Sequence, residues 1–141
     1  MSKQIKAEKT DFPHKELTHK IIGACLKIHN LLGSAYQEKH YQRVLEIEAR
    51  DNLKLPYERE KEINLSFEGK IFGKYFIDFI FDSKVPVEIK RVKRLHPKWM
   101  TQMLRYLNAL QMKVGLIINF GGEKLEVKRI ILPEKYLLKS A

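Results

Sequence analysis

Asp78, Glu88 and Lys90 are the residues of this sequence best spaced for chemistry. They lie within Phe76-Ile77-Asp78-Phe79-Ile80-Phe81-Asp82-Ser83-Lys84-Val85-Pro86-Val87-Glu88-Ile89-Lys90, two β-branched and aromatic runs around a polar loop. That is a hairpin pattern. With a loop of Asp82 to Lys84, Asp78 falls opposite Glu88 on one sheet face, with Cβ atoms about 5 Å apart. Lys90, two residues on, shares that face, while Ile77, Phe79, Val87 and Ile89 point the other way into a core. A slip of one residue would part the two acids. Facing carboxylates repel unless positive charge lies between them. Lys90 supplies one charge, and a divalent metal would supply the rest. Oxygen ligands with open positions suit Mg²⁺, with Mn²⁺ as a substitute. A metal that polarises a phosphoryl oxygen and a lysine that orients the attacking water are what phosphodiester hydrolysis requires. The plain alternative is a cross-strand salt bridge from Lys90 to one acid.

Three further features surround this segment. Glu38 and Tyr41 are three apart in a predicted helix, and Leu45 continues their face. A carboxylate there either binds metal or simply favours the helix dipole. Gln102 and Tyr106 are four apart on a later helix and flank its apolar stripe, where both can face the hairpin. From Lys84 to Lys113 the basic residues outnumber a single acid, Glu88. Arg91, Lys93, Arg94, Lys98 and Arg105 are the candidate phosphate contacts; the plain alternative is a solvated face. Trp99, beside this run, is expected to pack on the sheet edge rather than stack on a base. Cys25 and His29, four apart, lack a second pair for zinc and read as core residues. His96 beside Pro97 reads as a helix cap.

The elements that must position these residues follow from periodicity. Leu17, Ile21, Ala24, Ile28 and Leu31 predict a helix from Thr18, its expected N-cap, to Leu32. A second helix is expected from Tyr36 to Asn52, ended by Leu55-Pro56. Period-two alternation from Tyr57 through Phe67 predicts a strand, followed by strands over Lys74–Phe81 and Val85–Val92. Pro97 opens a helix with the stripe Met100, Met103, Leu104, Leu107 and Leu110. Strands are expected over Val114–Phe120 and Leu125–Leu132. Residues 1–14 read as a flexible arm and 15–141 as one α/β domain of element order ααβββαββ. Lys and Arg total 27 against 17 Asp and Glu, a net charge of +10 that favours an acidic partner. No apolar run approaches the length of a membrane span, and the polar start Met1–Thr10 does not read as a leader. One cysteine leaves no internal disulfide, as expected of a cytoplasmic protein.

Taken in order, Leu17-Thr18-x-x-Ile21-Ile22-Gly23-Ala24, Ile28-His29, Leu32-Gly33, Glu38-x-x-Tyr41, Asp78, Glu88-x-Lys90, Gln102-x-x-x-Tyr106 and Val114-Gly115-Leu116-x-x-Asn119-Phe120-Gly121 resemble the prokaryotic G-x-x-E-x-x-Y family of the PD-(D/E)XK nuclease-like superfamily. Ala35 stands where the first glycine of that motif is expected. The resemblance implies a restriction-endonuclease-like core, a mixed central β-sheet flanked by helices. It implies Asp78 and Glu88 as metal ligands, Lys90 as the catalytic lysine and Glu38 as a helix-borne acid near the metal. It likens Gln102 and Tyr106 to the Q-x-x-x-Y motif of RecB-like exonucleases. The expected activity is Mg²⁺-dependent cleavage of nucleic acid, DNA before RNA. A Holliday-junction resolvase, which would need a homodimer, a non-catalytic nucleic-acid-binding module and a protein-interaction subunit are the other readings.

Overall fold

A computed structural model describes residues 12–138. Helix α1 spans Lys15–Leu32 and α2 spans Glu38–Glu48, extended by a wider π-turn over Ala49–Leu53. Strands β1 (Tyr57–Phe67), β2 (Lys70–Phe81) and β3 (Val85–Lys90) follow, then α3 (Pro97–Leu110), β4 (Val114–Asn119) and β5 (Glu126–Ile131). The element order ααβββαββ is the expected one. Most of the 1–14 arm, residues 1–11, lies outside the described residues.

The five strands form one sheet in the order β1-β2-β3-β4-β5. Only β3 and β4 are parallel. A parallel pair needs a crossover, and α3 supplies it. The sheet is covered on both faces. On one, Ile21, Ala24 and Ile28 of α1 and Tyr41 and Leu45 of α2 pack on Phe79, Phe81, Val87, Ile89, Leu116 and Ile118. On the other, Met103, Tyr106 and Leu107 of α3 pack on Ile63, Ile77, Ile80 and Ile117. Burial on both sides explains why β4 reads as a continuous apolar run. Gly115 lets α3 approach, since a Cβ there would meet Met103 Sδ at 2.5 Å.

Several expectations are corrected. Thr18 is not the N-cap: α1 begins three residues earlier, and the Thr18 hydroxyl donates to Lys15 O within the first turn. The second helix begins at Glu38 rather than Tyr36. The Tyr41 hydroxyl donates to Gly33 O (2.5 Å) and accepts from Tyr36 N (3.2 Å), so the preceding segment is pinned outside the helix. Strand β3 ends at Lys90, not Val92, because the Asn119 side chain takes over both polar groups of Val92. The β1–β2 hairpin reaches to a tight turn at Glu68-Gly69, both left-handed, so β2 starts at Lys70 rather than Lys74.

Ile77 does not share a core with Phe79, Val87 and Ile89 but packs on the α3 side. The β1–β2 pairing skips Glu60 and Asp78, and Glu60 has φ 47°. Across that point odd-numbered residues change face: Tyr57 and Phe79 lie with α1 and α2, whereas Ile63 and Ile77 lie under α3.

Candidate nuclease site

The β2–β3 ladder runs Phe81↔Val85, Ile80↔Pro86, Phe79↔Val87 and then stops. This is the register that the Asp82–Lys84 loop predicts, and it brings Asp78 across from Glu88. At that step the strands stop pairing through their backbones and the two carboxylates bridge them. The Asp78 amide donates to Glu88 Oε1 (3.1 Å), and the Ile89 amide donates to Asp78 Oδ2 (2.7 Å). One oxygen of each acid is thus committed to the backbone. Among the described residues, the other oxygen of each takes no hydrogen bond, and neither is sealed from solvent.

Burial raises the pKa of both carboxyls above the ordinary carboxylate range. Glu88 is raised further by the charge of Asp78, and Asp78 by that of Glu38. Two acids that resist ionising together are a poor ion-pair design and a good metal-binding one. The donor set fits Mg²⁺, which takes one or two carboxylates and retains waters.

Glu38 opens α2, at the end whose dipole favours its charge. Its charge is felt by both acids, but among the described residues no three acidic, histidine or cysteine side chains converge closely enough to enclose an ion. The structure therefore pairs Asp78 with Glu88 and leaves Glu38 at the margin. Ala35 has no positive φ, so the absence of glycine there strains nothing.

Lys90 is half-buried and forms no ion pair among the described residues, so the plain salt-bridge alternative is not what the structure holds. Its ammonium lies 4.7 Å from the centre of the Trp99 ring. Trp99 itself packs against the α3-side core, beside Lys90 of the internal strand β3 rather than at an edge strand. Tyr106 is buried, with its ring 5.6 Å from that of Tyr75, and burial together with the charges of Glu88 and Asp78 raises its phenol pKa. It therefore remains a hydrogen-bond donor beside the acids. Gln102, one turn earlier, is half-buried.

Arg91, Lys93, Arg94, Lys98 and Arg105 are all exposed. Arg91 donates to Ser34 O (2.7 and 3.1 Å), clamping the segment before Glu38. The other four form no ion pair among the described residues. His96 caps α3, its Nδ1 accepting from Lys98 N (3.0 Å). Cys25 is buried in the core, where burial raises its thiol pKa and makes it inert. The His29 ring donates to Gly122 O (2.9 Å).

Two supports of the site carry no periodic signal. Arg59 lies over the Phe79 ring (4.6 Å), donates to Asp78 O, and reaches Glu46 and Gln42 of α2. It thus ties the helix that bears Glu38 to the strand that bears Asp78. Asn119, buried at the end of β4, holds Val92 N and O and Gly121 N, fixing the chain just after Lys90. Its place in the Asn119-Phe120-Gly121 motif is the available signal.

A cleft of about 500 Å³ opens elsewhere, between the β1–β2 hairpin and α3, lined by Asn64, Phe72, Arg105 and Asn108 among others. Neither acid lines it. The acids sit where the β2–β3 ladder stops, within the sheet, since β2 still pairs with β1 and β3 with β4 beyond them.

Residues 15–130 match the family model described as PD-(D/E)XK nuclease superfamily, and the chain belongs to that superfamily. The fold agrees: a mixed five-stranded sheet with helices on both faces. The solved crystal structure of SSO0001 is similar at a TM-score of 0.54 and 18% identity, over 70% of this chain and 52% of that one. This chain thus spans about half the length of that protein, and the likeness concerns the fold alone. No curated protein sequence matches the chain. No helix among the described residues is long and apolar enough to cross a membrane.

Proposed function

We propose that this protein hydrolyses phosphodiester bonds in nucleic acid, DNA in the first instance, with Mg²⁺ held by Asp78 and Glu88. The observation that carries the reading is the pair itself: two facing, partly buried carboxylates, each with one oxygen fixed by a backbone amide and one left free. Superfamily membership supports it, because nucleases of this class act on nucleic acid with divalent metals.

Bound there, the metal would supply Lewis-acid activation of the scissile phosphate. The chain's own residues would do the rest. Asp78 and Glu88 ligate. Lys90 orients the attacking water from two residues beyond Glu88 on the strand. Glu38 adds negative charge at the margin of the pair, and Gln102 and Tyr106 hydrogen-bond the phosphate or the water. Lys93, Arg94, Lys98 and Arg105, with Arg91, track the backbone. Glu38-x-x-Tyr41 and the motifs around it support assignment to the G-x-x-E-x-x-Y branch of the superfamily.

The test is cleavage of linear, flapped and four-way DNA, and of RNA, with Mg²⁺ or Mn²⁺. Wild type should cut at least one. Asp78→Asn, Glu88→Gln and Lys90→Ala should each lose at least about a hundredfold in rate while still binding. Binding without cleavage of any substrate would replace the enzyme by a binding module.

A further inference from the structure

Lys90 lies two residues from Glu88 on the same strand, yet its ammonium rests on an aromatic ring rather than on the acids. This needs a cause, since a carboxylate pair is the strongest attraction within the lysine's reach. Trp99 is the only tryptophan in the chain. It is held in place from two sides. Its body packs against the core beneath α3, and its ring meets the edge of His96, the residue that caps that helix, at 6.2 Å between centroids. The ring is therefore a fixed, electron-rich platform one turn into α3. A cation over a tryptophan face is attracted by the ring quadrupole, more strongly where water is partly excluded. Lys98 lies over the same ring at 5.8 Å, farther than Lys90 at 4.7 Å.

We propose that Trp99 is a positioning residue: its ring holds the Lys90 ammonium off Asp78 and Glu88, so that both carboxylates stay open to the metal while the lysine remains beside them. The inference rests on the nuclease reading for its purpose, but its geometry is testable without any substrate. A lysine adjacent to two acids competes with a divalent ion for the same oxygens. Without the ring, the flexible side chain swings onto the free oxygens and blocks them.

The experiment is a metal-binding cycle on the full chain, with Mn²⁺ as the probe and calorimetry as the readout. Trp99→Leu keeps apolar bulk in the core and removes the quadrupole. Mn²⁺ affinity should fall about tenfold, the range that a partly desolvated cation–π contact spans. Adding Lys90→Met to Trp99→Leu should restore it, because the competitor is gone, and Trp99→Phe should lie between. A variant that merely damages the site would not be rescued by deleting a lysine. In parallel, the ε-methylene protons of Lys90, bonded next to the ammonium that lies over the ring, should be shifted upfield from those of other lysines in the metal-free protein. They should return to the common position in Trp99→Leu and keep the shift in Lys98→Ala. Unchanged Mn²⁺ affinity in Trp99→Leu, or loss without rescue, overturns the proposal, as does the absence of a shifted lysine signal. If cycle and shift behave as expected but wild type cuts no nucleic acid, the nuclease reading falls and the positioning role stands. If cleavage occurs and the cycle is additive, the reverse holds.

Discussion

At the scale of the residue, the raised pKa values of Asp78 and Glu88 make a statement about stability as well as chemistry. Both fold into positions that favour the protonated form, because burial and mutual repulsion oppose the charges. The folded state then binds more protons than the unfolded chain above the ordinary carboxylate pKa, near pH 4. The pair's contribution to stability therefore falls as pH rises from about 5 toward 8, opposite in sign to a salt-bridged acid. We expect the metal-free melting temperature to decline over that window. Glu88→Gln should flatten the decline, since the amide oxygen still accepts the Asp78 N–H. Mg²⁺ should remove it in wild type by binding only the folded, ionised pair. A melting temperature that climbs through this window in metal-free wild type would show that the acids are paired with cations instead. Tyr41→Phe makes a second residue-scale prediction. It deletes the hydroxyl bound to Gly33 O and Tyr36 N, costing about 1 kcal/mol in chemical denaturation. It should also lower metal affinity less than Asp78→Asn does, because it loosens only the approach to Glu38.

At the scale of the element, the site depends on chain segments that no strand or helix pattern announces. Gly121 is one. A Cβ there would overlap Val92 O and lie 2.6 Å from Val92 N, both rigid backbone. Gly121→Ala should therefore destabilise the fold by about 3 kcal/mol and displace the segment after Lys90. Gly115→Ala meets the flexible Met103 side chain instead and should cost less; equal unfolding midpoints for the two variants would contradict this. The same contrast explains what is legible in the sequence. The Asp78–Glu88 register can be read because loop length and period-two burial suffice to set it. The direction of Lys90 cannot, since it is decided by Trp99 on another element. Nor can the change of face at Ile77, which follows from an unusual conformation at Glu60, a residue type that carries no turn signal. The end of β3 escapes the pattern because Asn119 substitutes a side chain for a strand, and amphipathic counting sees only strands.

At the scale of the whole molecule, charge and shape divide the labour. The net charge of +10 is distributed so that Lys93, Arg94, Lys98 and Arg105 remain exposed and unpaired among the described residues, in the chain segment that follows Glu88 and Lys90. Lys93→Ala with Arg94→Ala should weaken nucleic-acid binding for every sequence tested. It should also flatten the logarithmic salt dependence by roughly 0.9 for each phosphate no longer neutralised. An unchanged slope would place the nucleic acid on another face. The fold class is legible from element order because the parallel β3–β4 pair demands a crossover helix, and only one predicted helix lies between them.

The opening of the β2–β3 ladder makes the backbone itself a reporter. The amides of Asp78 and Ile89 are bonded to the very carboxylates that would hold the ion, not to neighbouring carbonyls. Anything that immobilises those side chains also locks these two N–H groups, and anything that frees them exposes the amides to solvent deuterium. Isotope exchange at these two positions thus becomes a substrate-free gauge of site occupancy. Exchange should slow when Mg²⁺ is added while the amides of β5 keep their rates. The β2–β3 ladder stops where the chemistry begins, so filling the site and locking that junction of the sheet are a single event.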